Sequence, residues 1–292
     1  MNNSLTTASG RMLNRTLVKS SRKIVMAILL LLVCIPSFYP FWWMTMSSFK
    51  SNDRIFGSLS LFPDTWHWEN LIEVFTYQPF AQHYFNSLYI AVIVTFFTVL
   101  VGTISGFAFA KLKFKGQNFL FLLILSSLMM PTEVTIIPNF FIMNKLNLIN
   151  THLPLIIIPV FGAQGAFVTF LMRQYFITIP NELLEAPRID GLGYWGVFWR
   201  IILPVSIPAL SSAVILTFLV SWNSFLEPLV YINDLVKFTL PLSLGNFKNI
   251  YGSPIWNLQL ASTFLASLPI LVIFVLFQKH IVNAMVSSGV KG

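Results

Sequence analysis

Apolar residues in this chain come in long runs, and the polar residues gather between them. A run of about 20 mainly apolar residues can form a helix about 30 Å long, which matches the hydrocarbon core of a bilayer. Six such spans are predicted, over 24–46, 86–110, 119–142, 153–176, 203–228 and 260–282. The fourth is interrupted by Pro159, Gly162 and Gly165. A membrane helix tolerates this, because neighbouring helices satisfy the freed backbone groups and small residues permit close approach. The expected fold class is therefore an all-α membrane protein with six transmembrane helices.

The polar segments between the runs set the orientation. An even number of spans puts both ends on one side, and Lys and Arg favour the cytoplasmic side. With the N-terminus inside, thirteen basic residues fall in inner segments, among them Arg11, Arg15, Lys19, Lys111, Arg173, Arg188 and Arg200. Only Lys50, Arg54, Lys145, Lys237 and Lys248 fall outside. The prediction is N-in and C-in, with a basic cytoplasmic tail over 1–23, a six-span domain over 24–284 and a cytoplasmic tail over 285–292. Arg11, Arg15 and Lys19 are four apart, so a helical tail would turn them together toward solvent or lipid headgroups. Two outer loops are long, 47–85 and 229–259, and rich in Trp, Tyr or Phe, which suits either a membrane interface or an external partner.

Composition agrees with this picture. Only 10% of residues are charged and 56% are hydrophobic, against roughly 25% charged in a soluble domain. The net charge of +8 records membrane topology better than a nucleic-acid surface. The apolar run from Ile24 is too long for a signal-peptide core and has no Ala-x-Ala cleavage site, so it reads as a retained span. The single cysteine, Cys34, can make no intrachain disulfide and offers no metal-ligand spacing.

One inner segment, about 177–204, is longer than a hairpin between spans four and five requires. Asn181 can cap a helix there, and Glu182 and Glu185 sit where the helix dipole favours negative charge. Leu183, Leu184, Ala186 and Ile189 supply an apolar face. Gly191 and Gly193 interrupt it, and a second amphipathic piece, YWGVFWRIILP, follows and is expected to stop at Pro204. Two short amphipathic helices joined at a bend could lie flat in the lipid interface or insert into a groove on a soluble partner.

The residues of this segment resemble a known signature. Glu185 and Ala186, then Gly191, then Ile201, Leu203 and Pro204 stand in the register of the loop of integral membrane subunits of binding-protein-dependent ABC importers. That signature reads Glu-Ala-Ala, three residues, Gly, nine residues, Ile, one residue, Leu-Pro. Pro187 replaces the second Ala. A proline that far into a helix costs about 3 kcal/mol, so the first helix is expected to be short, kinked or late in starting. FYPFWWMTMSSFK, SWNSFLEPLV, TLPLSLGNF and the terminal GVKG are similar to the carbohydrate-uptake subfamily exemplified by the maltose importer.

The resemblance implies that the loop docks on a separate ATPase through Glu185, Ala186, Arg188, Asp190, Gly191, Ile201, Leu203 and Pro204. It implies a second homologous permease, two ATP-binding subunits that hold ATP and Mg, and an extracytoplasmic solute-binding protein. It places the chain in a bacterial or archaeal plasma membrane, as half of a translocation path for a sugar or oligosaccharide. No G-x-x-x-x-G-K-[ST] phosphate loop occurs, so the chain is expected to be no ATPase and to hold no cofactor or metal of its own.

Acidic residues inside membrane spans are costly and usually face a bundle interior or water. Glu133 and Glu227 are two such residues, each in the outward half of its span. Trp222, Asn223 and Glu227, with Phe225 beside them and Glu133, are the candidates for the substrate path, since sugars bind aromatic faces and hydrogen-bonding groups. Glu227 could equally meet a polar group of the partner permease or the lipid headgroups.

Other functions fit less well. The four histidines are scattered, and GTISG at 102–106 has one residue too many for a nucleophile turn. A secondary transporter normally shows internal repeats and mid-membrane charges, and neither is evident. A glycerophosphodiester or polyol cargo remains an alternative, although a phosphate would favour Arg or Lys along the path.

Overall fold

The structure is a computed structural model and describes residues 3–57, 60–189 and 191–289. Asp190 and the chain ends at 1–2 and 290–292 lie outside the described residues, as do the side chains of Arg11, Arg15 and Lys19. Among the described residues the regular structure is helical, apart from one isolated antiparallel bridge between Lys248 and Pro254.

Helix α1 (Asn3–Ser47) leads to the short α2 (Glu69–Tyr77), and then to the long α3 (Phe80–Lys111). There follow α4 (Gln117–Leu128), α5 (Thr132–Lys145), α6 (Pro154–Phe161) and α7 (Ala163–Thr178). The predicted insert contains α8 (Glu182–Ile189), α9 (Tyr194–Val197), a π-helical turn (Phe198–Ile202) and α10 (Leu203–Val205). The remainder is α11 (Ile207–Trp222), α12 (Leu226–Tyr231), a 3-10 turn (Leu235–Lys237), α13 (Leu240–Leu244) and α14 (Trp256–Gly289).

Among the described residues, four stretches are long and apolar enough to cross a membrane: Val25–Ser47, Phe80–Lys111, Pro154–Thr178 and Trp256–Leu276. They correspond to predicted spans one, two, four and six, with span two starting earlier than expected. The third and fifth are bent pairs, α4 with α5 at 101° and Tyr194–Val205 with α11 at 79°. Counting each pair as one span gives six.

Each bend has a local cause. Pro131 takes an extended conformation (φ −61°, ψ 138°), and its ring disfavours helix at Met130. At the second bend Ser206 is fully buried and leaves the helical region (φ −93°, ψ 6°). Its hydroxyl donates to the Ile202 carbonyl at 2.6 Å.

Helix α3 runs through the middle. At its Phe80 end, Phe80 and Ala91 join Val74, Phe218, Trp222, Leu240 and Leu258 in one buried cluster. Ile90 and Val94 join Ile136, Leu155 and Tyr231 in a second. At its Lys111 end, Phe107 joins Met172, Phe176, Leu184, Val197, Phe198 and Ile202 in a third. The α3–α7 contact is the most extensive among the described helices. A Cβ on Gly102 would meet Val168 Cγ1 at 2.6 Å, and one on Gly106 would meet Met172 Cβ and the Arg173 backbone nitrogen at 2.9 Å. GTISG is thus a small-xxx-small helix-packing motif.

The segment after α12 is strapped to the Phe80 end of α3. Asn86 Nδ2 donates to the carbonyls of Val236 and Phe238 at 2.9 and 3.0 Å, and His83 Nε2 donates to that of Leu235 at 2.7 Å.

Candidate functional site

Two features are built on this frame: the insert beyond the Lys111 end of α3, and a cleft toward the Phe80 end.

The insert starts where Lys111 reaches across from α3. Its Nζ donates to the Ile179 carbonyl at 2.6 Å and to Asn181 Oδ1 at 2.9 Å. Asn181 stands immediately before α8, where a cap was expected, and its backbone carbonyl accepts from the amides of Leu184 and Glu185 at 2.8 and 3.0 Å, while its side-chain oxygen takes the bond from Lys111. Helix α8 begins at Glu182 and is eight residues long with Pro187 inside it. The proline therefore shortens the helix without delaying its start. The Pro187 carbonyl accepts from the Leu192 amide at 3.0 Å, and the Arg188 carbonyl from the Gly191 amide at 3.1 Å. Gly191 sits at φ +91°. These two bonds and the left-handed glycine form a Schellman closure, which satisfies carbonyls a helix end would leave open.

The second limb returns through α9, the π turn and α10. The Leu203 amide bonds the Phe198 carbonyl, five residues back. Pro204 follows, and its missing N–H and bulky ring would conflict with an ordinary α-helical turn. The helical limb, expected to stop at Pro204, runs one residue further to Val205.

Buried Leu184, Val197, Phe198 and Ile202 seat both limbs on the α3–α7 cluster, with Leu192 and Leu203 packed against it. The guanidinium of Arg188 lies 4.2 Å from the centroid of the Tyr194 ring and joins the limbs across the bend. Glu185, Ala186, Arg188, Gly191 and Pro204 are exposed, while Ile201 and Leu203 are half-buried on the returning limb. Asp190 lies outside the described residues. Next to the exposed polar groups stand apolar ones, Ile189 at 86% exposure and Trp195 at 62%. Together they make a bent, two-limbed surface, polar and aromatic, anchored from below.

The cleft has a volume of about 300 Å³ and lies where helices break. Thr132 and Glu133 come from the start of α5, Gln164 from the start of α7, Asn223, Ser224 and Phe225 from the break between α11 and α12, and Glu227 from the first turn of α12. Ser87 and Ile90 of α3 close one wall. Ser224 Oγ donates to Glu227 Oε2 at 2.7 Å, and Gln164 Nε2 to the Thr217 carbonyl at 3.0 Å. Glu133, Asn223 and Glu227 are thus brought together, with Phe225 beside them.

Trp222, grouped with them on sequence grounds, is placed elsewhere. It is 2% exposed, stacked on Phe218 at 5.7 Å, and its indole N–H donates to the Ala266 carbonyl at 3.2 Å. Adjacent positions on a helix face different ways, so Asn223 looks into the cleft while Trp222 looks into the core.

Lys111, Ser87, Gln164, Ser224 and Thr239 were not singled out by sequence reasoning. For Lys111 the signal was a base at the end of an apolar run, the first of three at 111, 113 and 115. For the others there was none, because serines, threonines and glutamines inside spans are common helix-packing residues.

Comparison with known proteins bears on both features. Residues 98–287 match the family described as the binding-protein-dependent transport system inner membrane component. A probable ABC transporter permease protein, YurM of Bacillus subtilis (strain 168), is 34% identical over 265 residues, covering 91% of this chain and 87% of that protein. The arabinooligosaccharides transport system permease protein AraQ of Halalkalibacterium halodurans is 35% identical over 262 residues, covering 87% and 91%. The fold is similar to a chain in the crystal structure of a bacterial ABC transporter involved in the import of the acidic polysaccharide alginate. The TM-score is 0.78 at 21% identity, over 90% of this chain and 97% of that one.

Proposed function

Because this chain belongs to the family of binding-protein-dependent transport system inner membrane components, we propose that it is the permease subunit of an ATP-driven importer of sugars or oligosaccharides. It forms half of a translocation path and works with a second, homologous permease. Two separate ATPase subunits bind ATP and Mg, and an extracytoplasmic binding protein delivers the cargo. In the N-in, C-in orientation the insert faces the cytoplasm, where those ATPases lie.

The observation that carries this reading is the two-limbed insert. Its exposed side offers Glu185, Arg188, Ile189 and Trp195 as anchors for a groove on the ATPase. Its buried side is wedged onto α3 and α7 through Leu184, Val197 and Phe198. A push on the insert therefore acts directly on α3 and α7, and their close approach at Gly102 and Gly106 makes the two helices move as one body. Glu133, Asn223, Phe225 and Glu227 sit toward the opposite end of α3, in a cleft suited to polar cargo.

The test uses the assembled importer with Glu185→Ala and Gly191→Val in this chain. ATP-driven uptake should fall about tenfold or more, equivalent to losing roughly 1.4 kcal/mol of docking free energy, and the ATPase should co-purify less well. Membrane levels of the chain should hold. Normal uptake and normal co-purification in both variants would reject the docking role.

A further inference from the structure

Resting on the reading of the cleft as part of the path, we infer that the cleft is a charge filter, which passes uncharged polyhydroxylated cargo and disfavours cargo bearing carboxylate or phosphate.

Three independent observations meet there. First, the lining contains two carboxylates, Glu133 and Glu227, and among the described residues no Lys, Arg or His. An anion entering it meets two carboxylates with no compensating cation in the lining: Glu227 is half-buried, where water screens it less than at an open surface, and Glu133 is exposed at the rim.

Second, the remaining polar lining has the chemistry a sugar requires. Asn223, Gln164 and Ser224 are neutral groups that can donate or accept, and Phe225 presents an aromatic ring, half-exposed. Third, Thr239 lines the cleft, is 4% exposed, and has a hydroxyl with no hydrogen-bond partner among the described residues. Buried polar groups are normally paired, so this hydroxyl marks a place where a ligand hydroxyl or a water it displaces would be held.

The acidic groups also have a structural reason to stay. Glu133 stands in the first turn of the 14-residue α5, where a carboxylate offsets the positive end of the helix dipole. Glu227 is fixed by the Ser224 hydroxyl. Without them the recess would face the bare start of α5, which favours anions. The two glutamates thus convert a break between helices from anion-attracting to anion-repelling.

The chain's single cysteine makes a direct test possible. In the assembled importer, with Cys34→Ser and Asn223→Cys, modification of this chain is followed with cationic, anionic and uncharged methanethiosulfonates, each rate divided by its rate with a free thiol. The uncharged reagent should react, and the cationic reagent should outpace the anionic one about tenfold or more, the scale set by a unit charge a few ångströms away at a surface-like dielectric.

Adding Glu133→Gln and Glu227→Gln should bring that ratio to about one while the uncharged rate holds. A neutral arabinotriose in excess should slow the uncharged reagent, and trigalacturonate should do so only in the double glutamine variant. Failure of the uncharged reagent to reach Cys at 223 overturns the path reading itself. Equal charged rates in the parent, a ratio unmoved by the glutamines, or equal protection by both sugars overturns the filter and leaves the path reading standing.

Discussion

At the scale of single residues, two glycines do different work. Gly191 has open space around it and is required by its left-handed backbone, whereas Gly106 has an ordinary helical backbone and is required by its neighbours. A Cβ at 106 would lie 2.9 Å from the Arg173 backbone nitrogen, which cannot swing away as the end of a side chain could. Gly106→Val should therefore push α3 from α7 and cost about 1–3 kcal/mol, the usual range for overpacking. Gly245 is the control, since its φ is −75° and nothing lies within 4 Å of where an added methyl would stand. Thermal unfolding of the purified chain in detergent should show a lowered Tm for Gly106→Val and an unchanged one for Gly245→Ala. Equal Tm values for both would mean that the α3–α7 seam is not tight.

At the scale of elements, a long side chain adds a polar tie at the start of the insert to the apolar seat beneath it. Lys111 bonds the end of α7 and the first residues of the insert at once, and Glu182 is near enough to act on it electrostatically. Lys111→Met keeps the packing of the aliphatic stem and removes both bonds. It should free the start of the insert by about 1 kcal/mol, allowing for partial exposure to water. Amide hydrogen exchange over 179–185 should rise accordingly, and ATP turnover should persist with less uptake per ATP. Lys111→Arg should recover part of the protection. Unchanged exchange in Lys111→Met would show that the apolar seat of Leu184 and Phe198 suffices alone.

The insert was legible in the sequence from its length, its charges and the spacing of Glu185, Gly191, Ile201, Leu203 and Pro204, because those positions are set locally by helix caps and turns. Spans one, two, four and six were legible because hydropathy is additive along a run. The 101° bend after Leu128 and the bend at Ser206 were not, since hydropathy measures transfer from water and is blind to direction. Nor could local pattern foresee that Lys111 would meet Asn181, 70 positions away, or that Trp222 and Asn223 would part.

At the scale of the molecule, the spans differ widely in how far their own chain covers them. The most apolar stretch of Val25–Ser47 has none of its residues buried, and that of Trp256–Leu276 has 17%, whereas that of α3 has 50%. The first and last spans thus present apolar surface to lipid or to another subunit. The proposed role depends on which way the chain faces. That proposal requires the insert and the loops 47–85 and 229–259 to open on opposite sides, with the insert toward the ATPases. Ile189 at 86% exposure and Tyr251 at 84% mark the two ends. In a Cys34→Ser background, single cysteines at these positions should react with a membrane-impermeant maleimide from opposite sides. Tyr251→Cys should be labelled in right-side-out vesicles and Ile189→Cys in inside-out ones, each about tenfold or more over the other face. Labelling of Ile189→Cys from the outer face would reverse the topology. It would place the charged and aromatic side of the insert where no ATPase can reach it, and the thirteen-to-five division of basic residues would then need another cause.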